Sequence, residues 1–359
     1  MRLTHLRIAN LRNIVQLDLS LAEGFTVFVG PNGAGKTSIL EAAYLLSHAQ
    51  SFRSGPNEVL IRSGTNEMVV HGRVTNAMGQ VQLGLARQPG AWAARVNNAS
   101  AGNLAALLAE SALVCLEPGS HALISGASAL RRRFLDWGVF HVEPAHFSRT
   151  RMFQRVLRQR NALLKRGVTA RELDAWDESF VCAAEPVATS REKYFSRFSR
   201  LLVAVLREFL PELGTPTTTV TRGWQSDTSL QAVLEHARTN DIARRHTTRG
   251  PHRADWAIRF ENAPVREQLS RGQEKLCALA CVLAQAQLYA EEHGEWPIVA
   301  LDDLGSELDL AHQHTVISLL AQAGAQVLIT GTELPAPLRS DGLAKEVFHV
   351  EHGDVRRLL

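Results

Sequence analysis

The stretch that most constrains this chain is GPNGAGKT, residues 30–37, which matches the pattern G-x-x-x-x-G-K-[ST]. It follows the apolar run FTVFV, which predicts a buried strand, and it opens TSILEAAYLL, which predicts a helix. A phosphate-binding loop must leave a strand and start a helix, because its backbone N–H groups then face the phosphates. The stretch therefore predicts an α/β fold built around a nucleotide-phosphate site.

The residues of this loop have distinct expected roles. Its glycines let backbone N–H groups turn inward around the phosphates, Lys36 reaches the β and γ oxygens, and the Thr37 hydroxyl is placed for Mg²⁺. The predicted nucleotide contacts in the loop are Gly30, Pro31, Asn32, Gly33, Ala34, Gly35, Lys36, Thr37 and Ser38.

A nucleotide bound with Mg²⁺ also needs a carboxylate at the end of a buried strand, and PIVALDD supplies one. Asp302 follows the apolar run and is the predicted Mg²⁺ ligand beside Thr37. Asp303 stands where a carboxylate orients or deprotonates the attacking water, the general-base role in phosphoryl transfer. Lys36, Asp302 and Asp303 are therefore the predicted catalytic residues; the alternative is an acidic pair without a ligand.

The spacing between these motifs separates classes of nucleotide-binding protein. GTPases and small-molecule kinases usually place the second acid within one compact domain, whereas here about 265 residues separate Lys36 from Asp302. The first hundred residues show strand patterns with a period of two, and the middle of the chain repeats apolar residues at helical steps of three and four. We expect a head domain of residues 1–120 and 240–359 with a β-rich N-terminal lobe, and an inserted α-helical arm of residues 121–239.

Positive charge is concentrated in the expected arm. The net charge of the 359 residues is only +3, yet residues 131–166 hold ten Lys or Arg against two acids. Clustered Lys and Arg suit nucleic-acid phosphates, and no helix-turn-helix, zinc-finger or RRM pattern predicts base-specific reading. A solvated helix face is the alternative, and Arg131–Arg133 could equally brace the arm against the head. The predicted DNA contacts are Arg151, Arg155, Arg158, Arg244, Arg245 and Arg253.

Cysteine use and hydropathy bear on the compartment. The four cysteines fit no disulfide framework, and Cys277 and Cys281 stand four residues apart in an apolar run, which predicts a buried, reduced helix face with metal binding as the alternative. No apolar stretch approaches the roughly 20 residues that span a bilayer, and the N-terminus lacks the apolar core of a signal peptide. We therefore expect a cytoplasmic protein without a membrane partner.

Seven stretches together resemble one family. Three of them are similar to the head of an ABC-type ATPase of the SMC/Rad50 kind: GPNGAGKT, LSRGQEK at 269–275 and ALDDLGSELD at 300–309. Four others, together with DDLGSELD at 302–309, narrow the resemblance to the RecF family: LRNI at 11–14, SFR at 51–53, RRRFLD at 131–136 and GPHRAD at 250–255. The resemblance is spread over nearly the whole chain and implies an ABC-type ATPase head that binds ATP with Mg²⁺.

The resemblance also implies a site shared between two copies. In such ATPases the LSRGQ segment closes on the γ-phosphate held by the second copy, so Ser270, Gly272 and Gln273 are expected to bind nucleotide in trans within an ATP-dependent homodimer. By the same resemblance, Arg12 and Arg53 are expected beside the nucleotide in cis, although either is equally consistent with a structural salt bridge.

Two departures from the ABC pattern affect the expected rate. ABC transporters have a switch histidine after the strand that follows the second acid, whereas QVLITGTE at 326–333 offers Thr330 and Thr332 there, and the glutamine-loop position falls near Glu117. Asp303 replaces the usual glutamate and is one methylene shorter. We therefore expect slow, DNA-stimulated ATP hydrolysis.

The function that the resemblance implies is ATP-dependent DNA binding in recombinational and gap repair. It implies a dimer on double-stranded or gapped DNA and single-strand/duplex junctions, which recruits RecR with RecO to promote RecA loading and supports replication restart and SOS induction. A transport ATPase subunit is disfavoured by the basic helical insertion. A nuclease with a following Toprim domain is disfavoured because the chain ends soon after Asp309. An ATP-binding protein without meaningful turnover stays open as the alternative.

Overall fold

The computed structural model describes residues 1–53, 55, 57–169, 171–225, 227–265, 268–340 and 342–359. They form two compact units, Met1–His121 with Arg271–Leu359, and Ala122–Ser270. The second unit corresponds to the expected arm, but the chain returns to the first unit at Arg271 and not at residue 240. The difference arises because a strand at 255–260 pairs with a strand at 216–221, and the expected boundary separates the two.

The secondary structure follows the expected order of strands, helices and strands. The strands are β1 Arg2–Leu11, β2 Ile14–Ser20, β3 Phe25–Val29, β4 Met68–Asn76, β5 Gly79–Gln88, β6 Ala91–Val96, β7 Ala99–Ser100, β8 Leu113–Leu116, β9 Pro216–Thr221, β10 Asp255–Phe260, β11 Ile298–Leu301, β12 Val327–Gly331, β13 Ala344–Glu351 and β14 Asp354–Arg357. The helices are α1 Lys36–His48, α2 Leu104–Leu108, α3 Ala122–Ser125, α4 Ser128–Val142, α5 Ala145–Arg166, α6 Asp174–Phe209, α7 Leu230–Arg244, α8 Arg271–His293, α9 Leu304–Glu307, α10 Leu310–Gln322 and α11 Ala336–Ser340. Short 3₁₀ turns lie at Asn57–Leu60, Arg171–Leu173, Pro211–Leu213 and Pro251–Arg253.

The first unit contains a mainly parallel sheet with the order β14-β13-β3-β12-β11-β8. Its strands β13, β3, β12, β11 and β8 run parallel, and β14 pairs antiparallel at one edge. Every residue of β3, β11 and β12 is buried, which explains why these strands read as continuous apolar runs and not as an alternation. Because the parallel strands share one direction, their carboxyl ends meet at one edge of the sheet.

The same unit contains an antiparallel sheet with the order β2-β1-β4-β5-β6-β7. Alternate residues of β1 divide between its two faces: Leu6 and Ile8 are fully buried, whereas Arg7 between them is exposed. Helix α1 packs against β4 and β1, so the apolar face of the sheet forms part of the core. This sheet is the expected β-rich N-terminal lobe.

The second unit is mostly helical, with the two-stranded antiparallel sheet of β9 and β10 packed on α6 and α4. Its core is rich in aromatic side chains, including Phe153, Phe180 and Trp224. A buried ionic network also lies inside it: the Arg160 guanidinium donates to Asp177 at 2.8 Å and to Asp241 at 2.8 Å, and all three side chains are inaccessible to solvent. This network joins α5, α6 and α7.

Two further expectations concern burial. Cys277 and Cys281 lie on the buried face of α8, and burial raises the pKa of the Cys281 thiol. No described helix combines the length and apolar character needed to cross a bilayer.

Candidate functional site

The carboxyl edge of the parallel sheet brings the predicted nucleotide motifs together. The phosphate loop follows β3, and Asp302 follows β11, with β12 lying between these two strands. The Thr37 hydroxyl donates a hydrogen bond to Asp302 Oδ1 at 2.9 Å. Residues that are about 265 positions apart in the chain are therefore in direct contact.

The phosphate loop depends on glycine at defined positions. Gly30 has φ +152°, and a Cβ atom there would lie 2.1 Å from the Val350 carbonyl oxygen, so no larger residue fits. Gly35 has φ +112° at the start of α1, where an added Cβ would lie 3.0 Å from the Asn13 side chain. Asn13 Nδ2 in turn donates to the Ala34 carbonyl at 3.3 Å. The glycine conformations and the hydrogen bond from Asn13 of the LRNI stretch therefore fix the backbone of the loop.

Lys36 lies along the loop with its side chain buried. Its Nζ donates to the carbonyls of Gly30 at 2.6 Å and Pro31 at 2.8 Å. Burial lowers the pKa of Lys36, and the negative charges of Asp303 and Asp302 oppose that effect. The charges of the three residues predicted to be catalytic therefore interact directly with one another.

Asp302 is held by two hydroxyl groups. Besides the bond from Thr37, Asp302 Oδ1 accepts a hydrogen bond of 2.6 Å from Thr330 Oγ1. Burial raises the pKa of Asp302; the bonds from Thr330 and Thr37 lower it, Asp303 raises it further, and Arg53 lowers it. The carboxylate and the Thr37 hydroxyl are hard oxygen ligands of the kind that Mg²⁺ prefers.

Asp303 has an unusual backbone conformation. Its φ is +54°, in the left-handed region that a residue with a Cβ rarely adopts, and it begins α9. The Asp303 N–H donates to Thr330 Oγ1 at 2.8 Å. One buried threonine of β12 therefore holds both acids. The sequence identifies Thr330 only as a residue near a missing switch histidine; its contact with both acids depends on strand order, which the sequence does not reveal.

Two glutamates, Glu117 and Glu307, add negative charge near Asp302. Glu117 follows β8, and burial raises its pKa; the N–H of Gly119 opposes this effect, whereas Asp302 and Glu307 add to it. Glu307 also pairs with Lys275 of α8, with 3.1 Å between Nζ and Oε2. This ion pair joins the first turns of the LSRGQEK helix to the segment that follows Asp303.

The residues predicted to act in trans are accessible. Ser270 directly precedes α8, and Gly272 lies in its first turn; both are exposed, and Gln273 is half-buried. Their position at the start of a 23-residue helix presents backbone N–H groups outward, an arrangement that favours anions.

Arg12 and Arg53 differ in their surroundings. The guanidinium of Arg12 makes a two-point ion pair with the fully buried Glu41, at 2.9 and 2.7 Å. Ser51 also donates to Glu41, and its oxygen accepts the Arg53 N–H at 2.9 Å. The charge of Arg53 lowers the pKa of Asp302. The structure thus places Arg12 in a salt bridge and Arg53 within electrostatic reach of Asp302.

The predicted DNA contacts all lie on the second unit and are exposed. They are Arg151, Arg155 and Arg158 on α5, Arg244 and Arg245 at the end of α7, and Arg253 in a 3₁₀ turn. Two other arginines of the basic segment are buried. Arg131 pairs with Asp255 at 2.7 Å and donates to carbonyls at the end of α3, and Arg160 belongs to the buried network described above. Arg131 therefore braces the second unit internally.

Comparisons with known proteins point to one family. The model of the RecF/RecN/SMC N terminal domain matches residues 2–351. The chain is 44% identical over 363 residues to the DNA replication and repair protein RecF of Xanthomonas euvesicatoria pv. vesicatoria, covering 99% of each. It is 43% identical over 362 residues to the RecF of Stenotrophomonas maltophilia, again covering 99% of each.

Solved structures give the same result for the fold. A structure described as the recombination mediator protein RecF-ATP in the RecFOR pathway superposes with a TM-score of 0.90 at 25% identity, covering 99% of this chain and 97% of the other. An Smc head bound to the C-winged helix domain of ScpA has a TM-score of 0.59 at 16% identity, covering 100% of this chain and 97% of the other, and shows likeness of fold alone. The expected ABC-type head fold is confirmed.

Proposed function

The chain belongs to the RecF family of DNA replication and repair proteins, and we propose that it acts as an ATP-dependent DNA-binding protein of recombinational and gap repair. The observation that carries the proposal is the hydrogen bond between Thr37 and Asp302, which joins the phosphate loop to the acidic strand end. A structural neighbour described as RecF-ATP supports ATP as the nucleotide.

In the proposed site, backbone N–H groups of Gly30–Ser38 and the ammonium of Lys36 hold the phosphates of ATP. Lys36 then exchanges the carbonyls of Gly30 and Pro31 for phosphate oxygens. Thr37 and Asp302 fit Mg²⁺, because this ion is commonly held by one or two protein oxygens together with phosphates and water. When bound, Mg²⁺ neutralises charge on the β- and γ-phosphates.

Asp303 is the proposed general base for hydrolysis. It follows the metal ligand directly, and Thr330 fixes its backbone. Because its side chain is one methylene shorter than glutamate, we expect it to reach the attacking water less well, so that turnover is slow. We propose that DNA binding raises this rate.

ATP is proposed to join two copies of the chain. Ser270, Gly272 and Gln273 would complete the partner's site through the exposed start of α8. The ion pair between Lys275 and Glu307 supports this role, because it couples the start of α8 to the segment that follows the catalytic acids. ATP binding would then favour the dimer, and hydrolysis would release it.

The exposed arginines of the second unit are the proposed DNA contacts. They are Arg151, Arg155, Arg158, Arg244, Arg245 and Arg253. Each phosphate contact releases counterions, so binding to double-stranded or gapped DNA and to single-strand/duplex junctions should weaken steeply with salt. By analogy with a relative described as part of the RecFOR pathway, we propose RecR with RecO as partners, RecA loading as the outcome, and roles in replication restart and SOS induction.

The oligomeric state tests the proposal most directly. Wild type, Lys36→Arg and Ser270→Arg are compared by sedimentation with and without ATP and duplex DNA. ATP-dependent dimers in wild type that vanish in Ser270→Arg, although this variant still binds nucleotide, support the shared site. A protein that stays monomeric under every condition would contradict it.

A further inference from the structure

The outer face of the antiparallel sheet carries three arginines and one histidine, Arg7, His71, Arg73 and Arg95, here called the sheet cluster. Arg7 of β1 pairs in register with His71 of β4, His71 with Gly84 of β5, and Gly84 with Arg95 of β6. Arg73 lies two residues along β4 on the same face. All four side chains are exposed. One row with a guanidinium group at each end and His71 between them therefore crosses the sheet from β1 to β6.

The charge of the sheet cluster is largely uncompensated. Within the described residues, the guanidinium groups of its three arginines make no ion pair, whereas Arg2, Arg12 and Arg87 of the same unit each pair with a glutamate. One acid, Asp18, neighbours Arg7 on β2, and its carboxylate is bonded to His5 at 2.6 Å. The face therefore keeps a net positive charge.

The behaviour of His71 supports this description. Partial burial lowers its pKa, and the positive charges of Arg7 and Arg95 lower it further. Guanidinium groups on both sides of His71 in the row thus act on the same imidazole. A polyanion placed over the row would relieve this mutual repulsion.

Gly84 leaves a shallow gap in the row. A Cβ atom at this position would lie 3.1 Å from His71 Nδ1 and 3.5 Å from Arg95 Cβ, so the backbone forms the floor between the two side chains. With strands spaced about 4.8 Å apart, Arg7 and Arg95 stand about 14 Å apart at the backbone. A duplex strand, which carries one charge per about 3.4 Å of axis, presents about four phosphates over that length.

The rest of this face indicates what kind of polyanion fits. The outward positions next to the row are Gln16, Ala9, Val69, Ala86 and Ala93 on one side, and His5 and Gln82 beside Arg73 on the other. They offer no aromatic anchor of the kind that dominates protein interfaces, and no stacking platform for unpaired bases. A flat, cationic, weakly apolar surface suits a regular phosphate backbone.

We propose that the sheet cluster is a second contact surface for the phosphate backbone of duplex DNA, without base specificity. The inference rests on the DNA binding proposed above and adds a surface on the first unit to the arginines of the second unit. No base reading follows, because the cluster contacts charge and not base edges.

The test is the salt dependence of duplex binding in Arg7→Gln/Arg95→Gln. The matched control is Arg339→Gln/Arg356→Gln, which removes two exposed charges of the same unit from α11 and β14. Each lost phosphate contact lowers the slope of log affinity against log salt by about 0.9. We expect the slope of the sheet-cluster variant to fall by about 2, so that wild type loses about tenfold more affinity than this variant between 50 and 200 mM salt. The control should keep the wild-type slope.

A third variant, Arg151→Gln/Arg155→Gln, separates this inference from the proposed function. If it weakens duplex binding while Arg7→Gln/Arg95→Gln matches the control, the sheet cluster is not a DNA surface and the proposed function stands. If wild type itself does not bind duplex DNA, the proposed function fails. Binding of poly-glutamate that depends on Arg7 and Arg95, with unchanged duplex binding, would overturn the inference in favour of an acidic protein.

Discussion

Thr330→Val is the substitution that most directly tests how the two acids are held. Thr330 Oγ1 lies 2.6 Å from Asp302 Oδ1 and 2.8 Å from the Asp303 nitrogen, and the residue is 1% exposed. Valine keeps the shape and removes the hydroxyl. The Asp303 N–H then loses its acceptor, and Asp302 loses one of its two hydroxyl donors.

The expected size of the effect follows from these contacts. Leaving a buried polar group unsatisfied costs about 1–3 kcal/mol. Loss of a residue that orients metal ligands typically lowers activity about 10–100-fold, or about 1.4–2.7 kcal/mol in activation free energy. We therefore expect the free energy of unfolding to fall by about 1–3 kcal/mol and kcat for ATP hydrolysis to fall about 10–100-fold. ATP affinity measured without Mg²⁺ should be unchanged, because Thr330 does not touch the phosphate loop.

Thr26→Val is the matched control. Thr26 lies on β3, paired in register with Leu328 of β12, and is fully buried; its hydroxyl makes no hydrogen bond to any residue that the structure describes. The same chemical change should there be neutral or slightly stabilising. Thr330→Ser, which keeps the hydroxyl, should retain most of the wild-type rate.

The measurements are steady-state phosphate release, equilibrium ATP binding and thermal unfolding. If Thr330→Val hydrolyses ATP as fast as Thr26→Val, Thr330 does not position the acids. If both substitutions lower kcat equally, the loss comes from repacking of the sheet, and the argument from hydrogen bonds is refuted.

Three further predictions follow from individual side chains. Asp303→Asn should lower kcat about 10²–10⁴-fold in a phosphate-release assay while ATP-dependent dimers persist in sedimentation, and unchanged turnover would exclude Asp303 as the base. Arg160→Ala should destabilise the protein by about 3–5 kcal/mol in thermal or denaturant unfolding, because buried Asp241 loses its ion-pair partner and buried Asp177 keeps only Arg238, whereas exposed Arg158→Ala on the same helix should cost less than about 0.5 kcal/mol. Burial alone would raise the pKa of Asp136, but Arg191 and His146 outweigh it and lower that pKa to about 2. Asp136 thus contributes about 2 kcal/mol of stability above pH 4, which is lost as the pH falls towards 2, so the unfolding temperatures of wild type and Asp136→Asn should converge over that range.

Local patterns in the sequence were enough to predict a phosphate-loop motif and an acid that the structure brings into contact with it. The strand before GPNGAGKT, the loop itself and the helix after it are all indicated within about twenty residues. Each of these signals depends only on residues that are close together in the chain. Asp302 was found in the same way, from the apolar run before it. The ABC-type head was predicted from the order of such stretches and confirmed by the fold.

The arm boundary could not be read from local patterns. The segment from residue 240 to Ser270 continues an alternation of strand and helix that looks like the head, yet β10 pairs with β9 and belongs to the second unit. Strand pairing joins residues that are far apart in the chain, so it leaves little local trace. For the same reason charge counting did not separate the buried Arg131 and Arg160 from the exposed arginines around them.

By itself, the sequence determined which groups are available: a loop with glycines at the required positions, a lysine, two acids and an excess of arginine. Tertiary structure decided which of them meet. Only the strand order places β12 between β3 and β11, and only that placement lets Thr330 hold both Asp302 and Asp303. The reason is physical: a hydrogen bond needs two atoms within about 3 Å, and for residues distant in the chain that distance is set by the packing of the whole sheet.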